Sequence, residues 1–328
     1  MRYAICAIIS IACTSPALAA EESAVKLVEV RKIWDAGRHN AFTDLIRCDG
    51  QWMSTFRDAS AHGNAADGKV RVIGSRDGKQ WESLALLESS AGDLRDPKLS
   101  VTPDGELMMD VVLALVKPQD GVRHRSQTFF SKDGKTWDGP HPKGDDNFWL
   151  WRSTWHDEKC FVVGYRTTLP REQRFTRLYR SPDGREFATH LDQLYEEGAA
   201  GESTLLFRPD GSCVCLLRHE AAARVGVAKP PYKDWMWKVT NERIGGPNLL
   251  KLPDGRLLAA GRVYKPQPHM ALLWLDVEDG KLTKFLKLPS GGDCSYPGLV
   301  LHDGLLWVSY YSSHEGKSSI YLAKVRID

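Results

Sequence analysis

Residues 205–218, LLFRPDGSCVCLLR, contain two apolar runs joined by a Pro-Asp-Gly turn. Aspartate followed by glycine between apolar runs is a strong hairpin signal, because the turn needs positive φ at low steric cost. We therefore expect two antiparallel strands in this segment. The hairpin has a carboxylate, Glu202, just before its first strand and a guanidinium, Arg218, at the end of its second strand.

The same hairpin pattern occurs six times along the chain. The turn aspartates follow one another at intervals of 44 to 55 residues, at Asp49, Asp104, Asp157, Asp210, Asp254 and Asp303. Regular internal repeats of this length are typical of folds built from one repeated unit. Each repeat should therefore begin with two antiparallel strands.

A second turn, of the form Ser-x-Asp-Gly-x-x-aromatic, follows in the first three copies, from Ser75, Ser131 and Ser181. Its serine and aspartate side chains can bind the backbone of the turn itself. We expect this turn to join the outer two strands of a four-stranded unit. Because no amphipathic helix interrupts the repeats, they predict an all-β fold, a six-bladed β-propeller of four-stranded antiparallel blades. A β-sandwich of the same hairpins would not explain six regular copies.

The first twenty residues have the pattern of a cleaved secretory signal. Arg2 precedes a short apolar run, and an Ala-Leu-Ala site occupies residues 17–19. We expect a signal peptide at residues 1–20, one propeller domain at residues 21–328, and a secreted or periplasmic location. Lipoprotein processing at Cys13 is the minor alternative. No later segment has the roughly 20 apolar residues that span a membrane.

The charge balance argues against polyanionic partners. The chain has 44 Lys and Arg residues and 42 Asp and Glu residues, so we expect neither nucleic acid nor a membrane surface as a partner. The five cysteines beyond the leader include no CxxC pair, which argues against a structural zinc. We expect no metal and no cofactor. Nothing in the sequence specifies an oligomer, and we expect a monomer.

The first strand of each propeller blade lines the central channel, whose mouth is a natural ligand site. Residues at the starts of first strands and the ends of second strands should form a ring there. Several are arginines, whose planar donor fork suits carboxylates, so the ring predicts an acidic small ligand. Some arginines could instead pair with neighbouring carboxylates, as Arg95 could with Asp96. The residues expected to contact substrate are Asp44, Arg57, Arg95, Arg152, Arg218 and Arg262.

The Ser-x-Asp-Gly-x-x-Trp turns resemble the Asp-boxes, or BNR repeats, of the sialidase (neuraminidase) superfamily. In that family a glutamate opens a blade and an arginine closes the same hairpin, as Glu202 and Arg218 do here. A further arginine follows in the next blade, matched by Arg262 in LLAAGRVY. The nucleophilic tyrosine opens the last blade, as Tyr296 does in CSYPGLVLHDG. The acid/base aspartate follows the first hairpin, where HGNAADGKV contains Asp67.

This resemblance implies a glycoside hydrolase that acts on an acidic sugar. Tyr296 would be the nucleophile, because a neutral phenol is not repelled by a carboxylate on the anomeric carbon. Glu202 would take the phenol proton, and Asp67 would protonate the leaving oxygen and later activate water. Arg218 and Arg262 would hold the substrate carboxylate over Tyr296.

The first blade departs from the family pattern. Sialidases carry an arginine there, in an Arg-Ile-Pro type of motif, whereas this chain has HNAFTDLI with Thr43 and Asp44. A negative charge at this place would repel a substrate carboxylate. Either Arg57 or Arg95 replaces the missing cation, or the substrate is another acidic sugar such as a uronate.

Two other functions are compatible with the sequence. One is a polysaccharide lyase on uronic-acid glycans, with Tyr296 or Tyr310 as the acid. The base of such a lyase would be one of four histidines near the blade ends, His62, His219, His269 and His314. The other is a glycan-binding propeller without chemistry. Asp-boxes also occur in non-catalytic propellers, so the turns alone do not decide between an enzyme and a binding protein.

Overall fold

Six sheets are arranged in a ring in the computed structural model, which describes Met1 and residues 25–63 and 65–328. Their strands are antiparallel, and the prediction of a six-bladed β-propeller with four-stranded blades is confirmed. The predicted signal peptide, residues 1–20, lies outside the described residues except for Met1. Within the described ranges, the helical content is one 3-10 turn, Arg171–Gln173. No helix of the described chain is long and apolar enough to cross a membrane.

The first three blades follow the chain in order from the channel outward. Blade one consists of β2 (His39–Cys48), β3 (Gln51–Ala59), β4 (Lys69–Ser75) and β5 (Glu82–Leu87). Blade two consists of β6 (Gly92–Val101), β7 (Leu107–Gln119), β8 (Val122–Ser131) and β9 (Asp138–Pro142). Blade three consists of β10 (Phe148–Leu150), β11 (Thr154–His156), β12 (Lys159–Arg166), β13 (Thr176–Ser181) and β14 (Ala188–Tyr195). Its inner strand is divided into β10 and β11, both of which pair with β12.

The last three blades include the N-terminal strand. Blade four consists of β15 (Ala200–Phe207), β16 (Cys213–His219), β17 (Arg224–Ala228) and β18 (Met236–Val239). Blade five consists of β19 (Ile244–Lys251), β20 (Leu257–Val263), β21 (His269–Asp276) and β22 (Lys281–Lys287). Blade six consists of β23 (Cys294–His302), β24 (Leu305–Ser312), β25 (Ser319–Ile327) and β1 (Val25–Trp34).

The ring is closed by pairing between the two ends of the described chain. β1 runs antiparallel to β25, with Val25 opposite Ile327 and Trp34 opposite Ile320. The first strand of the described residues, β1, is therefore the outermost strand of the last blade. The repeat of Asp-Gly hairpins does not reveal this closure, because β1 precedes the first copy of the hairpin.

The Ser-x-Asp-Gly turns bind their own backbone as expected. In the first, Ser75 Oγ accepts a hydrogen bond from Gly78 N at 2.8 Å, and Asp77 Oδ1 accepts one from Lys79 N at 2.8 Å. Gly78 has φ 68°, a region that favours glycine. The turns from Ser131 and Ser181 repeat this pattern. All three join the third and fourth strands of their blades, which confirms the predicted placement.

Apolar side chains fill the spaces between neighbouring blades. One buried cluster joins blades one and two, and others join three to four, four to five and five to six. At the closure, Trp52 of blade one stacks on Trp307 of blade six with ring centroids 4.1 Å apart. This packing makes each blade depend on both neighbours, and it fixes the positions of the inner strands that carry the site.

Candidate active site

A bulge at the start of the inner strand re-aims side chains in five of the six blades. The bulges lie between Ala41 and Asp44, Arg95 and Lys98, Ala200 and Ser203, Gly245 and Asn248, and Ser295 and Gly298. Four of the five contain one residue with positive φ, namely Phe42, Asp96, Gly246 and Tyr296. Because this conformation is costly for a residue with a side chain, the surrounding packing must hold it in place.

Tyr296 and Glu202 form a buried hydrogen-bonded pair. Tyr296 Oη donates to Glu202 Oε1 at 2.5 Å, and the two residues are 7% and 5% exposed. Burial raises the pKa of Tyr296 well above its usual value, and the charges of Glu202 and Asp96 add to this rise. Burial also acts to raise the pKa of Glu202, but Arg218 and the Tyr296 hydroxyl bring it below its usual value. The resting pair is therefore a neutral phenol that is hydrogen-bonded to an ionised carboxylate.

Arg218 binds the same carboxylate from the end of β16. Its Nη1 donates to both oxygens of Glu202, at 2.8 and 3.0 Å. A cavity of about 180 Å³ opens beside this ion pair. Its lining consists of Tyr165, Arg171, Arg174, Ala199, Ala200, Gly201, Glu202, Arg218 and Glu220. The two charged ends of the fourth hairpin thus face each other at the channel mouth.

Arg262 occupies the corresponding end of β20. Its Nη1 donates to the carbonyl of Cys294 at 3.1 Å and lies 3.6 Å from Asp293 Oδ1. Its Nη2 donates to Tyr264 Oη at 3.2 Å. The field of Arg262 also lowers the pKa of Glu202. Arg218 and Arg262 therefore both lie close enough to the Tyr296 pair to act on its charges.

Asp96 also belongs to this site, although the sequence analysis brought it forward as a possible partner of Arg95 and not as a site residue. It is 6% exposed, and its Oδ2 accepts a hydrogen bond from Trp149 Nε1 at 3.0 Å. Burial raises the pKa of Asp96, against the fields of Arg95 and Lys98. One sequence signal was present, because Asp96-Pro97 occupies the same bulge position as Tyr296-Pro297.

Arg95 lies at the mouth and does not pair with Asp96. Its guanidinium carbon lies 5.4 Å from the ring centroid of Phe42 and 5.8 Å from that of Trp149. Its Nη2 donates to the carbonyl of His62 at 3.0 Å. Its nearest carboxylate is Asp93, at 3.7 Å from Nε. With a side chain that is 20% exposed, Arg95 presents a cation to the mouth.

Asp44 and Arg152 form an ion pair inside the channel. Arg152 Nη1 donates to Asp44 Oδ2 at 2.8 Å, and Leu99 N donates to the same oxygen at 2.8 Å. Asp44 is fully buried, and the Arg152 side chain is 12% exposed. We expected both residues to contact substrate, whereas the structure places Asp44 out of reach. Its charge is balanced by Arg152, which reduces its repulsion of a bound carboxylate.

Lys98 is buried on the inner strand of blade two, close to the ring of Tyr296. Its Nζ donates to the carbonyls of Phe42, Thr43 and Pro97 at 3.0 to 3.2 Å. It also lies 4.7 Å from the ring centroid of Trp151 and 5.4 Å from that of Tyr296. Burial lowers the pKa of Lys98 to about 8, although Asp44 acts to raise it.

We expect stability to depend on pH through Lys98. Its folded pKa of about 8 lies below the ordinary value of 10.5. Between these values the unfolded chain holds a proton that the folded protein has released, so stability rises with pH. From pH 8 to pH 10 the wild type should gain roughly 1–3 kcal/mol relative to Lys98→Met. Urea unfolding of both proteins across this range measures the effect. A difference that does not change with pH would contradict it.

Arg57 and Asp67 are placed differently from the expected roles. Arg57 is fully buried and binds Asp93 through two hydrogen bonds of 2.7 and 3.0 Å. This internal ion pair leaves it unable to replace the missing first-blade cation. Asp67 is exposed, and its Oδ1 accepts hydrogen bonds from Ser60 N and Oγ at 3.3 and 3.1 Å. None of the described contacts joins Asp67 to Tyr296 or Glu202.

A cluster of His39, His62 and Asp293 lies beside the tyrosine pair. The potential ligand atoms of these three residues all lie within 4.8 Å of one another. His62 also packs edge-to-face on Phe42, with ring centroids 5.2 Å apart, and Phe42 packs in the same way on Tyr296 at 5.0 Å. The cluster is thus separated from Tyr296 by a single phenyl ring.

The other residues that could serve as the acid or base of a lyase make contacts outside the Tyr296 pocket. Tyr310 is fully buried and donates to the carbonyl of Pro289 at 2.8 Å. His269 is 2% exposed and lies 2.7 Å from the carbonyl of Gln267. His219 is also buried, and His314 Nδ1 lies 2.9 Å from Ser312 Oγ. Of the four histidines, the described contacts bring His62 alone to the Tyr296 pocket.

The fold is similar to that of several solved structures. A protein of unknown function from Dyadobacter fermentans aligns with TM-score 0.80 and 21% identity, over 93% of this chain and 99% of that chain. A variant of the α-L-arabinofuranosidase of Fusarium graminearum, in complex with an iminosugar inhibitor, aligns with TM-score 0.69 and 14% identity, over 92% and 98%. The Trypanosoma rangeli sialidase in complex with the inhibitor DANA aligns with TM-score 0.70 and 13% identity, over 88% and 55%.

These likenesses concern the fold. This chain spans about half of the sialidase chain and nearly all of the arabinofuranosidase chain. No protein-family model matches the sequence, and no curated protein matches it.

Proposed function

We propose that this protein is an exported glycoside hydrolase of the sialidase type that removes a terminal acidic sugar. The observation that carries the proposal is the 2.5 Å hydrogen bond from Tyr296 Oη to Glu202 Oε1. Glu202 is in turn held by Arg218 at 2.8 Å. A phenol that donates to a buried carboxylate has a proton acceptor already in place, which is the arrangement that activates an oxygen nucleophile.

In the proposed reaction, Tyr296 Oη attacks the anomeric carbon as its proton passes to Glu202. The glycosidic bond breaks, the leaving oxygen takes a proton from a general acid, and the sugar is carried on the tyrosine as a covalent intermediate. Water then attacks the anomeric carbon and gives a proton back to that general acid, and the tyrosine oxygen recovers its own proton from Glu202. The charge of Arg218 stabilises the carboxylate form of Glu202 before the attack.

Three partly exposed guanidinium groups at the mouth favour an acidic sugar. Arg95, Arg218 and Arg262 have side chains that are 15% to 20% exposed. Arginine binds carboxylates through paired hydrogen bonds, so this set suits a sialic acid or a uronate. Arg95 takes the place of the arginine that the first blade lacks. The Ser-x-Asp-Gly turns, with the hydrogen bonds of an Asp-box, fit the same family.

A neutral furanoside is the second candidate substrate. Arg218 is paired with Glu202, and Arg262 lies 3.6 Å from Asp293, so part of the positive charge is already balanced. Asp96 offers a buried carboxyl group suited to binding a sugar hydroxyl. The arabinofuranosidase is one of the fold neighbours of matching length.

A panel of aryl glycosides tests the proposal. Purified protein would be incubated with an aryl sialoside, an aryl glucuronide and an aryl arabinofuranoside, and phenol release would be followed by absorbance. We expect release from an acidic glycoside, and faster release from the arabinofuranoside would favour the second candidate. A uronan incubated in parallel reports lyase activity through the ultraviolet absorbance of an unsaturated product. Turnover of the uronan alone, or binding without any turnover, would contradict the proposal.

A further inference from the structure

The carboxylate of Asp293 is engaged on both oxygens. Oδ2 lies 2.5 Å from His62 Nδ1 and 3.2 Å from His39 Nε2. Oδ1 accepts a hydrogen bond of 2.8 Å from Tyr311 Oη and lies 3.6 Å from Arg262 Nη1. Burial acts to raise the pKa of Asp293, but the hydrogen bonds from the two histidines bring it well below its usual value. Asp293 is therefore a fixed negative charge that faces two imidazoles.

His62 is held so that one ring nitrogen remains for another partner. Asp293 engages Nδ1, and no described contact uses Nε2. Arg95 fixes the backbone of His62 through a 3.0 Å hydrogen bond to its carbonyl. The side chain is 52% exposed and rests against Phe42, which separates it from Tyr296. A carboxylate that orients one nitrogen while the other faces the site is the usual arrangement of a histidine that transfers protons.

The position of His62 suits the leaving group. An enzyme that removes a terminal sugar takes that sugar into the pocket first, so the glycosidic oxygen remains near the rim. Tyr296, Glu202 and Asp96 are 5% to 7% exposed and lie deep. Asp67 lies outside the contacts of the Tyr296 pair, and its Oδ1 already binds Ser60. A proton donor for the leaving oxygen must stand at the rim, where His62 stands.

We infer that His62, oriented by Asp293, is the general acid and base of this enzyme, in the place that the family resemblance assigns to Asp67. The inference rests on the proposed function. In the first step, His62 Nε2 gives its proton to the glycosidic oxygen as that oxygen leaves and Tyr296 bonds to the anomeric carbon. In the second step, Nε2 takes a proton from water, whose oxygen displaces Tyr296. Both protons are accounted for, and the products are the free sugar and an alcohol.

The charges around the cluster favour proton transfer over a metal ion. Two imidazoles and a carboxylate are also a common set of metal ligands. Here, however, Asp293 Oδ1 accepts a hydrogen bond from Tyr311 Oη, and the guanidinium of Arg262 stands 3.6 Å from the same oxygen. A divalent cation on this carboxylate would be repelled by Arg262 and by a second positive charge, Arg95, which binds the carbonyl of His62.

The leaving-group dependence of hydrolysis tests the inference. A general acid is needed for a basic leaving group and hardly for an acidic one. We therefore compare phenyl and dinitrophenyl glycosides of the sugar that the wild type accepts. His62→Gln should lower kcat/KM for the phenyl glycoside by about 10²-fold or more, and that for the dinitrophenyl glycoside by less than about fivefold. Asp293→Asn should show the same contrast to a smaller degree.

Matched variants separate this role from a structural one. His141 forms a similar pair with Asp138 at 2.8 Å on β9, and His141→Gln should match the wild type on both substrates. Equal losses for both substrates in His62→Gln would overturn the inference, as would a steeper leaving-group dependence in Asp67→Asn. So would activity that is lost after dialysis against EDTA and restored by zinc. If the wild type cleaves no glycoside, the proposed function itself is wrong. If the wild type is active and His62→Gln hydrolyses both glycosides at the wild-type rate, only the role inferred for His62 is wrong.

Discussion

Replacement of Tyr296 by phenylalanine should abolish nearly all glycoside hydrolysis, with kcat lowered by about 10³-fold or more. The change removes one oxygen atom, and this atom is both the nucleophile and the donor to Glu202 at 2.5 Å. Glu202→Gln keeps the shape of the acceptor but loses its basicity, so we expect kcat to fall by about 10²- to 10⁴-fold. Both losses should be similar for phenyl and dinitrophenyl glycosides, because attack is impaired whatever the leaving group.

A covalent label distinguishes nucleophilic attack from simple binding. A fluorinated sugar with a good leaving group should leave a stable adduct on the peptide that contains Tyr296, detected by mass spectrometry. Tyr179→Phe is the matched control, because Tyr179 Oη also donates to a carboxylate, Asp145, at 2.7 Å, on the third strand of blade three. Normal turnover in Tyr296→Phe, or an adduct on another residue, would refute the nucleophilic role.

Arg57→Met should lower the free energy of unfolding by about 3–5 kcal/mol. Arg57 is fully buried and Asp93 is 4% exposed, so the change leaves a buried carboxylate without its main partner. Arg95 lies 3.7 Å from Asp93 and compensates in part, which favours the lower end of this range. Equilibrium unfolding in urea measures the loss.

Two further variants show whether the loss comes from the unpaired charge. The double change of Arg57→Met with Asp93→Leu should recover most of the stability, because it removes both charges together. An exposed pair, Arg125 and Asp146, has side chains that are 41% and 51% exposed and a separation of 3.3 Å. Arg125→Met should cost no more than about 1 kcal/mol. If Arg57→Met lowered the free energy of unfolding as little as Arg125→Met does, the predicted contribution of the buried ion pair to stability would be wrong.

The location of Arg57 illustrates a limit of sequence reasoning about charged rings. Arg57 and Arg218 both lie near the end of the second strand of a hairpin. The repeat therefore predicts for both residues the same role in ligand binding. In the structure, Arg57 turns to Asp93 of the next blade, whereas Arg218 turns to Glu202 of its own hairpin. The difference depends on which carboxylate a neighbouring blade supplies, and blade-to-blade contacts are not encoded in the spacing of one hairpin.

The acid/base group shows the same limit within one loop. Both His62 and Asp67 follow the first hairpin, and the family resemblance favoured the carboxylate. The partner that orients His62 is Asp293, which is 231 residues away and precedes the inner strand of blade six. Only the closure of the ring brings the first and last blades together, so no local pattern could have paired them.

The sequence by itself determined the number of blades, the place of each Asp-Gly hairpin and the position of the Ser-x-Asp-Gly turns. These features depend on turn chemistry and on alternating apolar residues, which act over a few residues. It also brought Glu202, Arg218 and Tyr296 forward as candidates. The tertiary structure decided which charged groups face the mouth and which neutralise one another inside the channel. Those choices arise from contacts between blades, where burial makes every unpaired charge costly and so selects its partner.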